Sequence, residues 1–261
     1  MYCEFVKKSF LQQFSYKANL LLKVISAFIF LFVTVCIWKA LYVNKHLVDG
    51  IDLQEMLSYI LVVQILRIVV KLPVSSYIGQ RISTGMITVD FVRPVTLKYC
   101  AISDSLGIAL FNLVTTGIPM LILGILLWGI VIPEQIFQWI CTVISIFLSM
   151  ILYATLEYIM GLTTFWTKTA YHIQWIMGAF YTLFSGTNIP LWFYPEPIRT
   201  VANLLPFKYF AFEPANLFLG KVSKVEAINI LLYECVWILL LYIVERVLWA
   251  MAQKVITIQG G

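Results

Sequence analysis

From Leu106 to Ile132 the sequence carries no charged side chain. A helix needs about 20 mostly apolar residues to cross the hydrocarbon core of a bilayer, and this run exceeds that length without interruption. Five other stretches have the same character: about Ala18–Tyr42, Met56–Ile78, Ile136–Phe165, Ile173–Phe193 and Ala227–Met251. Between them they take up most of the 261 residues, which is why only 12% of the chain is charged, about half the 25% usual in soluble domains. In water such a chain would expose large apolar patches and aggregate. A soluble enzyme is excluded, and an all-α membrane protein with six transmembrane helices is expected. The eight Trp and fourteen Tyr suit a chain that sets amphipathic rings at the membrane–water interfaces.

Pro133-Glu134-Gln135 is too short a link for anything but an antiparallel return between the third and fourth stretches. Orientation follows from the basic residues, which concentrate on the cytoplasmic side. With the N-terminus inside, Lys7, Lys8, Lys17, Lys23, Arg67, Lys71, Arg81, Arg93, Lys98, Lys168, Arg246 and Lys254 fall on the inner side, leaving one third of the Lys and Arg outside. Both termini are therefore expected in the cytoplasm. The same bias accounts for the net charge of +5: no basic run exceeds Lys7-Lys8, so no nucleic-acid partner is expected. The first apolar stretch is expected to stay as an anchor, since no small-x-small cleavage site follows Trp38.

Three segments are not spans. In residues 1–17, Tyr2, Val6, Phe10 and Phe14 recur every four residues, along one face of a helix. The pattern fits an interfacial amphipathic helix or, alternatively, a fraying polar lead-in. Residues 79–104 mix charges with apolar residues and should hold a short amphipathic helix that ends before Pro94. It is either a docking surface or a membrane-surface helix without a partner. Residues 194–226 are too broken by proline to span and too apolar for a water-exposed loop. They should dip into the outer leaflet as one or two short helices, where irregular backbone survives only against protein or a water-filled cavity.

Catalytic and energy-transducing motifs are missing. The Gly220-Lys221 pair is followed by Val222, so there is no P-loop. HExxH and GxSxG are absent, and the two histidines, His46 and His172, are far apart. The five cysteines have neither disulfide-framework nor metal-ligand spacing. The remaining leads are charges within apolar stretches, which are costly and kept against a partner or water. Glu157 leads this group. Its depth matches that of Arg67 and Lys71, so a Glu157–Arg67 ion pair is expected, with structural pairing commoner than substrate binding. Glu234 could line an outer vestibule, and Glu245-Arg246 near the inner end should snorkel. Carboxylates of this kind also fit an ion- or proton-coupled secondary transporter or a channel subunit. Against that alternative, no inverted repeat relates the two halves: the long inner loop follows the second stretch and the long outer loop follows the fifth.

The order of these features resembles the permease subunit of a bacterial type-2 ABC exporter. Ser185-Gly186-Thr187-Asn188-Ile189-Pro190-Leu191, then Phe193-Tyr194-Pro195, Leu205-Pro206-Phe207, Pro214 and Gly220 are similar to that family's fifth-span end and outer re-entrant segment. The stretch from Arg81-Ile-Ser-Thr-Gly85 to Val92-Arg93-Pro94 resembles its loop after span two. The resemblance implies a single permease domain in the bacterial plasma membrane, with no ATPase site or cofactor of its own. ATP and Mg would be held by a separate ABC ATPase subunit, and a second permease, identical or different, would complete the path. It further implies ATPase coupling through Arg81, Gly85, Asp90, Phe91, Arg93 and Pro94. The translocation path or gate would use Glu157, Phe180, Phe184, Asn188, Pro190 and Phe207. An aromatic, weakly charged path suits lipid-like, peptide or drug-like cargo.

Overall fold

A computed structural model describes residues 2–15, 17–43, 47–48, 50–92, 96–167 and 171–259, with all of their side chains except those of 17, 91–92, 171–172 and 255–259. Arg93 and Pro94 of the expected coupling set, and His46, lie outside the described residues.

The N-terminal repeat forms α1 (Tyr2–Gln12), which runs into a 3-10 turn at Gln13–Ser15. Next come α2 (Lys17–Leu41) and a two-residue hairpin, β1 (Leu47–Val48) with β2 (Ile51–Asp52). Asp52 then starts α3 (Leu53–Val70) with a capping box: its carboxylate accepts from the Glu55 N–H, and the Glu55 carboxylate accepts from the Asp52 N–H. Pro73 has no N–H to continue a helix, so the chain breaks at 71–73 and restarts as α4 (Val74–Ser83), followed by α5 (Ile87–Val92). After α6 (Leu97–Asn112) a π-helical turn at Leu113–Gly117 leads into α7 (Ile118–Trp128). The remainder is α8 (Ile136–Leu162), α9 (Thr164–Thr167), α10 (Tyr171–Phe184), α11 (Glu196–Leu204), α12 (Phe212–Leu219) and α13 (Lys224–Gln259), with 3-10 turns at Leu191–Phe193 and Pro206–Phe210.

Helix α3 is the most enclosed of the long helices and carries Met56, Tyr59, Val63 and Val70 into the core. Helix α8 packs on α4, α12 and α13. In contrast, α2 and α13 are apolar around most of their circumference and largely unburied, with Ile25, Ile29, Leu239 and Ile243 exposed. A helix that is apolar on all sides yet uncovered by protein is solvated by lipid.

Among the described residues five helical segments are long and apolar enough to cross a membrane: Ala18–Leu41, Leu53–Ser83, Leu97–Trp128, Ile136–Thr167 and Lys224–Lys254. The expected fifth span differs. Helix α10 has 14 residues, about 21 Å at 1.5 Å per residue, which is short of the roughly 30 Å hydrocarbon core. The helix stops at Phe184 because Gly186 takes a left-handed turn (φ 76°) and Pro190 starts a 3-10 turn.

Helix α1 is a packed element. It lies along α6, with Tyr2 edge-on to Tyr99 at 5.7 Å and Phe14 against Phe111 at 4.9 Å. Gly107 permits this approach, since a Cβ there would strike the Val6 carbonyl oxygen and come within 2.8 Å of the Ser9 Cβ. Ser9 donates a hydrogen bond to Asp104 across the contact.

Candidate functional site

Two of the expected coupling residues meet. Arg81, in the last turn of α4, donates from Nε to Asp90 Oδ2 at 2.6 Å and from its terminal guanidinium nitrogen to Oδ1. This two-pronged geometry is the strong form of a charge-assisted bond, and the guanidinium also lies over the Tyr77 ring at 5.6 Å. Gly85 makes the turn between the two helices with φ 70°. A Cβ there would meet nothing within 4 Å, so the backbone conformation, and not space, calls for glycine. Helix α5 is thus folded back on α4, with Met86 and Val89 exposed. Phe91 is part of α5, and its side chain is not described.

Glu157 is buried on α8 and does not pair with Arg67. Its Oε2 accepts from the Ser75 backbone N–H at 3.1 Å and from the Ser75 hydroxyl, and its Oε1 accepts from the Tyr153 hydroxyl at 3.3 Å. Ser75 lies in the first turn of α4, whose amides need acceptors, and the preceding Pro73 supplies no side-chain cap. Glu157 therefore caps α4 from a neighbouring helix, where the helix dipole favours an acidic group. The Arg67 guanidinium lies instead over the Phe30 ring at 5.5 Å.

From Tyr153 an aromatic cluster leads into the re-entrant segment. Tyr153 meets Phe210 at 5.1 Å and Tyr181 at 5.8 Å; Phe210 meets Phe207 at 5.7 Å; and Phe207 stacks on Phe180 at 5.7 Å and lies 6.4 Å from Phe184. Of the expected path residues, Phe180, Phe184 and Phe207 form one cluster and Glu157 joins it through Tyr153. Pro190 is buried at the start of the 3-10 turn. Asn188 is exposed and lines a separate cavity of about 740 Å³ along α10, together with Lys71 and Tyr194. The Tyr194 hydroxyl donates to the Leu183 carbonyl at 2.6 Å.

The re-entrant segment is held by groups whose pairing is not legible in the sequence. The Tyr59 hydroxyl donates to the Gly186 carbonyl at 2.8 Å. A Cβ on Gly186 would lie 2.8 Å from that hydroxyl and 2.9 Å from the Phe212 Cβ. Gly186→Ala adds this clash to a positive φ, a backbone strain of about 1–3 kcal/mol. The variant should lose most of its folded yield in detergent, measured by fluorescence-detected size exclusion, whereas Gly178→Ala, at a glycine with open space around it, should not. Lys208 pairs with buried Glu213 at 2.9 Å. Glu234 is fully buried and accepts from Ser145 at 2.6 Å, so it lines no vestibule. Nor does Glu245 snorkel: it pairs with Lys98 at 2.5 Å. Lys221 pairs with Glu55, also at 2.5 Å. These last two pairs set residues 55 and 221 at one end of the bundle, and 98 and 245 at the other.

Among the described residues no group of three or more His, Cys, Asp or Glu could hold a metal ion, and none of the five cysteines forms a disulfide. A family model described as ABC-2 family transporter protein matches residues 28–260. No curated protein matches the chain.

Proposed function

The chain belongs to the ABC-2 family of transporter proteins, a family of membrane subunits, and from that premise we propose that it is half of an ATP-driven exporter, coupled through α5 to a separate ATPase subunit. The observation that carries this reading is a continuous line of bonded groups. It starts at an exposed short helix (α5), passes through the Arg81–Asp90 pair to α4, and crosses the Glu157 cap to Tyr153 and the aromatic cluster. Movement of a docked partner at α5 would be transmitted along this line to the rings of the re-entrant segment. Packed elements carry coupling in this way when they have two discrete arrangements.

Several finer features belong to the same reading. Both termini lie in the cytoplasm, and the sixth crossing is made by α10 together with the irregular residues that follow it. A second permease, identical or different, covers the exposed α10 face, where Trp175, Ile176 and Leu183 are unburied. The partner ATPase holds ATP and Mg, and the complex exports from the bacterial plasma membrane.

The test is reconstitution of the purified chain in proteoliposomes with and without its ATPase, following the efflux of fluorescent amphiphiles. Flux should appear only when both ATPase and ATP are present. Equal flux without the ATPase, driven by an ion or proton gradient, would sink the reading in favour of a secondary transporter or channel.

A further inference from the structure

A cavity of about 550 Å³ lies between α2, α3 and α6. Three cations line it, Lys23 from α2 and Arg67 and Lys71 from the α3 segment, and no Asp or Glu does. Like charges gathered inside membrane-spanning segments are costly unless a partner or water faces them. Their partners in this structure are all neutral. Lys23 donates to the Asn112 side-chain oxygen at 2.9 Å, Arg67 sits over the Phe30 ring, and Lys71 lies 5.3 Å from the centre of the Tyr181 ring. Glu157, the carboxylate near Lys71, is outside the lining, and its oxygens accept from Ser75 and Tyr153. An Arg has five N–H donors and a Lys three, so most of the donor capacity in this cavity is uncommitted.

A second, independent observation concerns Thr116. Thr116 lines the same cavity and is 3% exposed, and its hydroxyl is buried with no hydrogen-bond partner. Buried hydroxyls without partners cost free energy in the empty state; Ser105, Thr142, Thr164 and Tyr181 share this condition, but only Thr116 among them lines the cavity. Thr116 also sits in the π-helical turn at Leu113–Gly117, and such turns within α-helices occur frequently at functional sites. The rest of the wall includes Phe30, Ile68 and Met120. On the same helical segments, Leu22 and Ile29 of α2 and Leu110 and Val114 of the third span are exposed.

We propose that this cavity seats the phosphate headgroup of an amphiphile, with the phosphate held by Lys23, Arg67 and Lys71 and accepting from Thr116 while its hydrocarbon tail lies along the exposed apolar faces of these segments. Arg and Lys are the side chains suited to phosphate oxygens, and basic pockets between transmembrane helices take anionic lipid headgroups. A phosphodiester lipid of the bilayer and a single-chain phosphate amphiphile share this chemistry. The inference needs the chain to span a membrane but not to couple to an ATPase, so it can fail while the proposed function stands.

The experiment uses the full-length purified chain and native mass spectrometry with titrated phosphatidylglycerol, phosphatidylcholine, dodecyl phosphate and inorganic phosphate. Phosphatidylglycerol and dodecyl phosphate should each bind at least tenfold tighter than phosphatidylcholine. The double variant Arg67→Gln/Lys71→Gln should lose at least tenfold in affinity for both. Thr116→Val, which keeps the side-chain volume, should lose severalfold and serves if the double variant does not purify. Lys39→Gln, at the other end of α2, should change nothing. Equal binding of phosphatidylglycerol and phosphatidylcholine, or a loss in the cavity variants no larger than in Lys39→Gln, would overturn the site. Inorganic phosphate binding as tightly as dodecyl phosphate would overturn the amphiphile.

Discussion

Asp90→Ala should abolish most of the ATP turnover coupled to transport while leaving the chain in the membrane. Helix α5 has six residues, too few to hold together alone, because forming the first helical turn is unfavourable and short helices in water are marginal. What fixes it is the two-pronged bond from Arg81, with Asp90 only 8% exposed. Hydrogen bonds to charged groups contribute about 1.5–3 kcal/mol, and a partly buried pair is less screened by salt than a surface one. Losing about 2 kcal/mol lowers the docked-to-undocked ratio of α5 by roughly 30-fold. In a complex with its ATPase, coupled turnover should therefore fall by about tenfold or more, and amide exchange over residues 84–92 should rise. Arg81→Asp combined with Asp90→Arg should recover part of both losses, because a double-mutant cycle isolates the pair. If turnover and exchange in Asp90→Ala match the parent chain, the pair is not what presents α5.

Arg81 and Asp90 both stand out in the sequence as charges flanking apolar residues, but their contact does not. The pair closes only through the left-handed turn at Gly85, and one glycine among thirteen does not announce that conformation. The long apolar runs were legible because bilayer thickness sets their length, and the four-residue repeat from Tyr2 to Phe14 was legible because it marks one helical face. The end of α10 was less so. Hydropathy continues through Leu191, Trp192 and Phe193, whereas the helix obeys the local backbone demands of Gly186 and Pro190 and stops at Phe184.

The buried carboxylates show a second limit. A search for opposite charges sends Glu157 to Arg67, yet Ser75 and Tyr153 satisfy it, and Glu234 takes a bond from Ser145 on Oε1, with Oε2 left without a partner. Neutral hydroxyls and backbone amides make good partners for a buried carboxyl, and nothing in their sequence spacing distinguishes them from other serines. The break at 71–73 compounds the difficulty. It exposes fresh helix-start amides at the depth of Glu157, and an unbroken second span would have left none there.

Glu157→Ala should therefore destabilise the protein through α4 and not through Arg67. Removing the carboxyl orphans the Ser75 N–H in the first turn of α4 and the Tyr153 hydroxyl, both in a buried setting, and leaves the Ser75 hydroxyl only the bond it accepts from the Gln174 side-chain amide at 3.3 Å. Each buried unpaired group costs about 1–3 kcal/mol, so a total of roughly 3–5 kcal/mol is expected. At about 2–4 °C per kcal/mol for a chain of this size, the apparent melting temperature in detergent should drop by roughly 10 °C. Glu157→Gln keeps a side-chain oxygen able to accept from Ser75 and should lose about a third of that. Arg67→Ala leaves every bond of Glu157 intact and should barely move the transition. If Arg67→Ala instead matches Glu157→Ala, and exchanging the two charges restores stability, an ion pair and not a helix cap holds α8 to the second span. In that case α4 would have no bonded route to the aromatic cluster. If the cap holds, the melting temperatures should be ordered parent, Arg67→Ala, Glu157→Gln, Glu157→Ala from highest to lowest, and coupled ATP turnover should follow the same order, because the group that starts α4 also orients the helix carrying Arg81.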